Sequence, residues 1–95
     1  MPEFEFDPGK SRINLAKHGI DFVQAQELWL DPDLSWGPTD SETEVRLKAT
    51  GVIGGKLWTA LITFRGRKIR IISVRRARKE EVNRYDAGQA RRRNT

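Results

Sequence analysis

The chain has 95 residues, 37% apolar and 33% charged, a balance that suits one small globular domain spanning residues 1–95. It contains no cysteine, so disulfides, thiol catalysis and Cys-ligated zinc are excluded, and no apolar run is long enough to span a bilayer. The net charge of +5 is uneven: residues 1–64 carry six Lys/Arg against ten Asp/Glu, and residues 65–95 carry twelve against three.

The opening Met1-Pro2-Glu3-Phe4 is acidic where a signal peptide would be basic, so a cytoplasmic location is expected. Phe4-Glu5-Phe6 alternates apolar and polar residues and predicts a short first strand. Asp7-Pro8 reads as an N-cap followed by proline at the first helical position, and Gly19 is placed to end that helix. Asp21 and Gln24 have the spacing of a capping box for a second helix, with Ile20 and Ala25 as its staple. Phe22, Ala25, Leu28 and Trp29 form its apolar face, and Asp31-Pro32 stops it.

Residues 31–43 are rich in turn formers, with a brief strand expected near Leu34–Trp36. Glu44–Thr50 alternates strictly, placing Val45, Leu47 and Ala49 on one face and Glu44, Arg46 and Lys48 on the other. Gly54-Gly55 marks a hairpin into the strand Leu57–Phe64, and Arg65-Gly66-Arg67 turns the chain into the strand Lys68–Val74. A last helix is expected from Arg76 to about Gly88, followed by a flexible basic tail from about Gln89. The predicted fold is α+β: a strand, two helices, an antiparallel meander of three or four strands, and a C-terminal helix.

Several enzyme classes lack their residues. The one histidine, His18, cannot build a His/Cys metal cluster, and no nucleophile-elbow motif surrounds a serine. Gly51–Lys56 superficially resembles a phosphate loop, but the spacing is one short and Leu57 replaces the hydroxyl residue that would hold magnesium. A hairpin turn explains it better.

The suggestive residues are cationic. Period-two alternation places Arg70 with Ile72 and Val74, away from Ile69 and Ile71, and places Arg46 on the polar face of its own strand. If the strands share a sheet, the two arginines converge on the side opposite the first two helices; the plain alternative is an ordinary solvated face. Such a face suits RNA cleavage, because the substrate's own 2′-OH attacks the adjacent phosphate and arginine supplies rigid donors to its oxygens. A general base and acid are still required, and the candidates are His18, Glu44, Lys17 and Tyr85. Arg75-Arg76, opening the last helix, offers a further phosphate contact.

Phe4-Glu5-Phe6-Asp7, Lys10, Asn14 and Lys17-His18-Gly19 resemble the opening of the BrnT toxin family, and Phe22, Ala25 and Asp31-Pro32 continue the match. Glu44-Val45-Arg46 and Gly51 follow, then the strongest block, Arg70-Ile71-Ile72-Ser73-Val74-Arg75-Arg76-Ala77, with Glu81 and Tyr85 beyond it. Val74 and Phe6 are mild departures from the family pattern. The resemblance implies a RelE-like fold and a metal-independent endoribonuclease toxin, without cofactor, that halts translation. It also implies a BrnA-type antitoxin, a two-toxin, two-antitoxin assembly, and contact with DNA only through the antitoxin. The expected catalytic set is His18, Arg46, Arg70, Ser73 and Tyr85, with Lys17, Lys48, Arg67, Arg75 and Arg76 binding RNA. The alternative is a non-catalytic module that binds nucleic acid or its partner in autoregulation of the operon.

Overall fold

A computed structural model of the chain describes residues 1–39 and 45–93. The chain opens with strand β1 (Glu3–Glu5) and helix α1 (Pro8–His18). Asp7 caps α1 as expected, accepting hydrogen bonds from the backbone N–H of Gly9 at 2.7 Å and Lys10 at 3.2 Å. Gly19 ends it at φ 80°, a left-handed conformation that only glycine enters without strain. Helix α2 (Phe22–Ala25) carries the complete Asp21/Gln24 capping box and passes directly into a 3-10 turn, Gln26–Leu30. The predicted single second helix is therefore two short pieces of different pitch.

The remaining elements are β2 (Ser35–Pro38), β3 (Leu47–Ile53), β4 (Lys56–Arg65), β5 (Lys68–Arg76) and helix α3 (Lys79–Arg93). The five strands form one sheet in the order β1-β5-β4-β3-β2. Strands β2 to β5 pair antiparallel, but β1 lies parallel to β5, so the sheet is mixed rather than wholly antiparallel. Local alternation carries no information on the direction of a pairing made 65 residues away, between Glu3 and Lys68.

The β4–β5 register shifts once: Leu61 pairs with Ser73 and Ile62 with Ile71, leaving Ile72 as an extra residue. This bulge inverts the alternation. Ile69, Ile71 and Val74 all face the core, so Val74 does not share a face with Arg70 as strict period two predicted.

One face of the sheet is covered by α1, α2 and the 3-10 turn. There Ile20, Phe22, Ala25 and Leu28 pack on Ala60, Ile62, Ile69, Ile71 and Val74. Edge-to-face rings close the rim: Phe4 on Trp29, Phe6 on Phe22, and Trp29 on Trp36. Helix α1 turns small polar residues inward and leaves Ile13 and Leu15 exposed. On the other face, α3 packs chiefly against β2 and β3. It reaches Arg93 instead of fraying near residue 89, because Gln89 donates to Asp33 at 3.1 Å and Arg92 donates to the Pro32 carbonyl. Among the described residues no helix is long and apolar enough to cross a membrane.

Asn14 holds α1 to β5. Its amide nitrogen donates to the carbonyls of Ile20 at 2.8 Å and Val74 at 2.9 Å, and its Oδ1 accepts from Val74 N–H at 3.3 Å. The side chain thus completes the hydrogen bonding of β5 beyond the end of β1. Replacing Asn14 with Ala orphans three buried backbone groups, and the expected cost is about 2–4 kcal/mol. A urea midpoint unchanged by Asn14→Ala would show that the bonds contribute nothing net.

Candidate functional site

The face opposite the core divides into two parts. At one end, Thr63 of β4 pairs with Arg70 of β5, which pairs with Glu5 of β1, so alternation points all three side chains away from the core. Arg70 Nη1 lies 3.6 Å from Glu5 Oε1, and Arg65 Nε lies 3.5 Å from the same oxygen. Arg70 Nε is buried and has no hydrogen-bond partner among the described residues. The field of Arg70 reaches Asp7 at the head of α1, whose carboxyl is held below its ordinary value mainly by the Lys10 and Gly9 backbone N–H groups.

Arg46 precedes β3, is exposed, and donates its backbone N–H to the Ile62 carbonyl at 2.8 Å. It therefore stands beside β4 at about the level where Arg70 flanks β4 on the other side. One intervening strand puts their backbones roughly 10 Å apart. Arg65-Gly66-Arg67 extends the same cationic end as a hairpin tip, with Gly66 at φ 61°. Glu44, a candidate base from sequence, lies outside the described residues.

The second part is sealed by α3. Glu81 has a fully buried side chain and accepts five bonds. Arg75 grips both of its oxygens at 2.7 and 2.9 Å, Lys48 approaches at 3.0 Å, Thr59 donates at 2.9 Å and Arg78 N–H at 2.8 Å. Burial alone pushes a carboxyl's pKa up; here the donors, Arg75 foremost, hold Glu81 well below the usual carboxylate range. Lys48 and Arg75 were expected on RNA, yet their side chains are only 11% and 15% exposed and are committed to this carboxylate.

Tyr85 is committed in the same way. It is buried on the inner side of α3 and donates its hydroxyl to Asp31 Oδ2 at 2.8 Å; the same oxygen accepts from Val52 N–H at 2.9 Å. Burial, then the bond to Asp31 and the nearby charges of Asp31, Asp33 and Asp86, push the phenol up to about 12. Arg76 lies over the Trp58 ring at 5.5 Å and donates to the Leu57 carbonyl.

His18, Lys17 and Ser73 meet elsewhere. With Lys10, Ile13, Asn14, Phe22 and Ile72 they line a groove of about 180 Å³ between α1 and the bulge of β5. The Ser73 hydroxyl lies 3.5 Å from Asn14 Oδ1. The structure thus gathers Arg46, Arg67 and Arg70 at one end of the sheet and His18, Lys17 and Ser73 in the groove. Tyr85 is held on α3, apart from both.

Glu5 and Glu81 entered the sequence reading only through the family resemblance and not as candidate site residues. Glu81 had a local signal, since it stands three residues after Arg78 at the N3 position, where a glutamate reaches back to the cap N–H. Glu5 had only the alternation of Phe4-Glu5-Phe6, which set its face without naming its neighbour.

Two titrations check these environments. The chain has a single tyrosine, so phenolate absorbance reports Tyr85 alone. Its midpoint is expected near 12, and stability from the neutral phenol is lost as pH rises from 10.0 towards that value. A midpoint near 10.0 would mean the Asp31 bond is absent in solution. The depressed Glu81 carboxyl stabilises the fold above its ordinary value of 4.5 and loses that contribution as pH falls below it. The urea midpoint is therefore expected to drop on acidification from about pH 6 to about pH 3, and to drop less in Glu81→Gln. Equal drops in both proteins would place the acid sensitivity elsewhere.

No curated protein matches the chain. Residues 6–81 match the model of a family described as the ribonuclease toxin, BrnT, of type II toxin-antitoxin systems. That span covers β2 to β5, α1, α2 and the start of α3, and includes Arg46, Arg70 and Glu81 but not Glu5 or Tyr85. The chain belongs to the BrnT family of ribonuclease toxins, whose type II systems pair the toxin with an antitoxin.

Proposed function

We propose that the chain is a metal-independent endoribonuclease whose working surface is the open end of the sheet around Arg70. The observation that carries this reading is the state of Arg70: it stands on the sheet face opposite the core with its side chain 21% exposed, and its buried Nε has no hydrogen-bond partner among the described residues. The exposed part of its guanidinium can hold phosphate oxygens through parallel hydrogen bonds. Negative charge added to phosphorus as the 2′-OH attacks is then met by donors already in place.

Arg46 and Arg67, with Arg65, hold the flanking backbone of the RNA. Lys17, His18 and Ser73 form a separate subsite along α1, where the strand leaves the reacting phosphate. Lys48, Arg75 and Tyr85 act from behind by fixing α3, and Arg76 stays on Trp58. Cleavage of RNA would halt translation. A BrnA-type antitoxin would silence the toxin in the cytoplasm, in an assembly of two toxins and two antitoxins that meets DNA through the antitoxin. The mixed sheet with helices on both faces is compatible with a RelE-like fold.

The test is purified protein with total RNA and EDTA, beside Arg70→Ala. Wild type is expected to cleave, and Arg70→Ala to cleave about 10²–10³-fold more slowly with an unchanged urea midpoint. Equal cleavage by the two proteins would remove Arg70 from the reaction. RNA binding without cleavage by the folded wild type would favour a non-catalytic binding module.

A further inference from the structure

Glu81 and Glu5 both lie against the outer face of the sheet, and their surroundings differ in kind. Glu81 is saturated: five donors fill its two oxygens and its side chain has no exposed surface. A carboxylate so bound has no lone pair left for a reactant. Glu5 is the reverse. Its side chain is 31% exposed, and both cationic neighbours approach the same oxygen, Oε1. Their separations of 3.5 and 3.6 Å exceed a charge-assisted hydrogen bond, so they hold the carboxylate without consuming it. Oε2 has no partner among the described residues.

Its placement matters as much as its freedom. Glu5 and Arg70 are directly paired across β1 and β5, so a phosphate on the Arg70 guanidinium brings an adjacent ribose within reach of Glu5. A base acting on the 2′-OH has to sit beside the group that holds the phosphate. Of the groups offered from sequence, His18 and Lys17 lie in the groove, Tyr85 is buried against Asp31, and Glu44 lies outside the described residues.

We propose that Glu5 is the general base of RNA cleavage, taking the proton of the 2′-OH while Arg70 holds the phosphate under attack. This rests on the ribonuclease reading above. As the O2′–H bond breaks, its proton moves to Glu5 Oε2 and the oxygen bonds to phosphorus. The P–O5′ bond breaks with its electron pair, and the leaving 5′-oxygen takes a proton from water. The products are a 2′,3′-cyclic phosphate and a 5′-hydroxyl. Glu5 then returns its proton to the hydroxide, so the protein is unchanged over the cycle.

The experiment compares wild type, Glu5→Gln and Glu5→Ala on an RNA oligonucleotide and on uridine 3′-(p-nitrophenyl phosphate). The nitrophenolate leaves without a proton, so only the base step remains. Glu5→Gln is expected to lower kcat about 10²–10⁴-fold on both substrates, with KM within about threefold of wild type. Added formate is expected to restore part of the activity of Glu5→Ala and none of that of Arg70→Ala. Cleavage by Glu5→Gln within about threefold of wild type would overturn the assignment and leave the ribonuclease reading standing. A loss carried by KM alone, or by Glu5→Ala without rescue, would reduce Glu5 to a counter-ion for Arg65 and Arg70. A folded wild type inert on both substrates would defeat the ribonuclease reading and the Glu5 assignment with it.

Discussion

The outer face of this sheet depends on one buried anion. Glu81 draws Lys48 from β3, Thr59 from β4, Arg75 from β5 and the Arg78 N–H from the head of its own helix onto a single carboxylate. Taking these charges out of water is costly, and the cost is met only because every lone pair of the carboxylate is engaged. The same requirement fixes α3. With Glu81 held at its first turn, Tyr85 falls over Asp31 one turn later, and Gln89 and Arg92 reach Asp33 and Pro32 beyond it. A Cβ at position 37 would meet the Arg84 guanidinium, so Gly37 leaves room for that side chain against β2.

This arrangement decides which cations remain for a ligand. The basic C-terminal third looks uniform in sequence, but the fold spends part of it on structure. Arg75 and Lys48 neutralise Glu81, Arg76 covers Trp58, and Arg92 sits at 3.7 Å from Asp33. At the end remote from α3, Arg65 and Arg70 meet Glu5, with Arg67 in the adjoining turn and Arg46 across β4, while Arg78, Lys79, Arg91 and Arg93 stay exposed at and along α3. A charge count can announce a polyanion-binding region, but pairing decides where on the surface it lies.

The local elements were legible because their causes are local. Asp7-Pro8, Gly19, the Asp21/Gln24 box, Gly54-Gly55 and Gly66 each act within a few residues, and all sit where the sequence placed them. Hidden features depended on distant partners. The parallel pairing of β1, the extra residue Ile72 and the three bonds of Asn14 to Ile20 and Val74 have no signature within one window. The face of Arg70 was correctly read from Ile69 and Ile71, yet the bulge two residues later broke the extrapolation to Val74. The split of the candidate site has the same origin. His18 and Ser73 follow α1 and the bulge to the β5 edge, while Arg70 follows the alternation to the open face.

In the proposed ribonuclease, RNA meets the open end of the sheet and not the sealed half. Amide chemical-shift mapping with an uncleavable 2′-deoxy oligonucleotide tests it directly. The predicted perturbations cluster at Glu5, Thr63, Arg65 to Arg70 and Arg46, with little change at Lys48, Thr59, Arg75 and Glu81. Perturbations centred on α3 and the Glu81 cluster, with the Arg70 region silent, would contradict it.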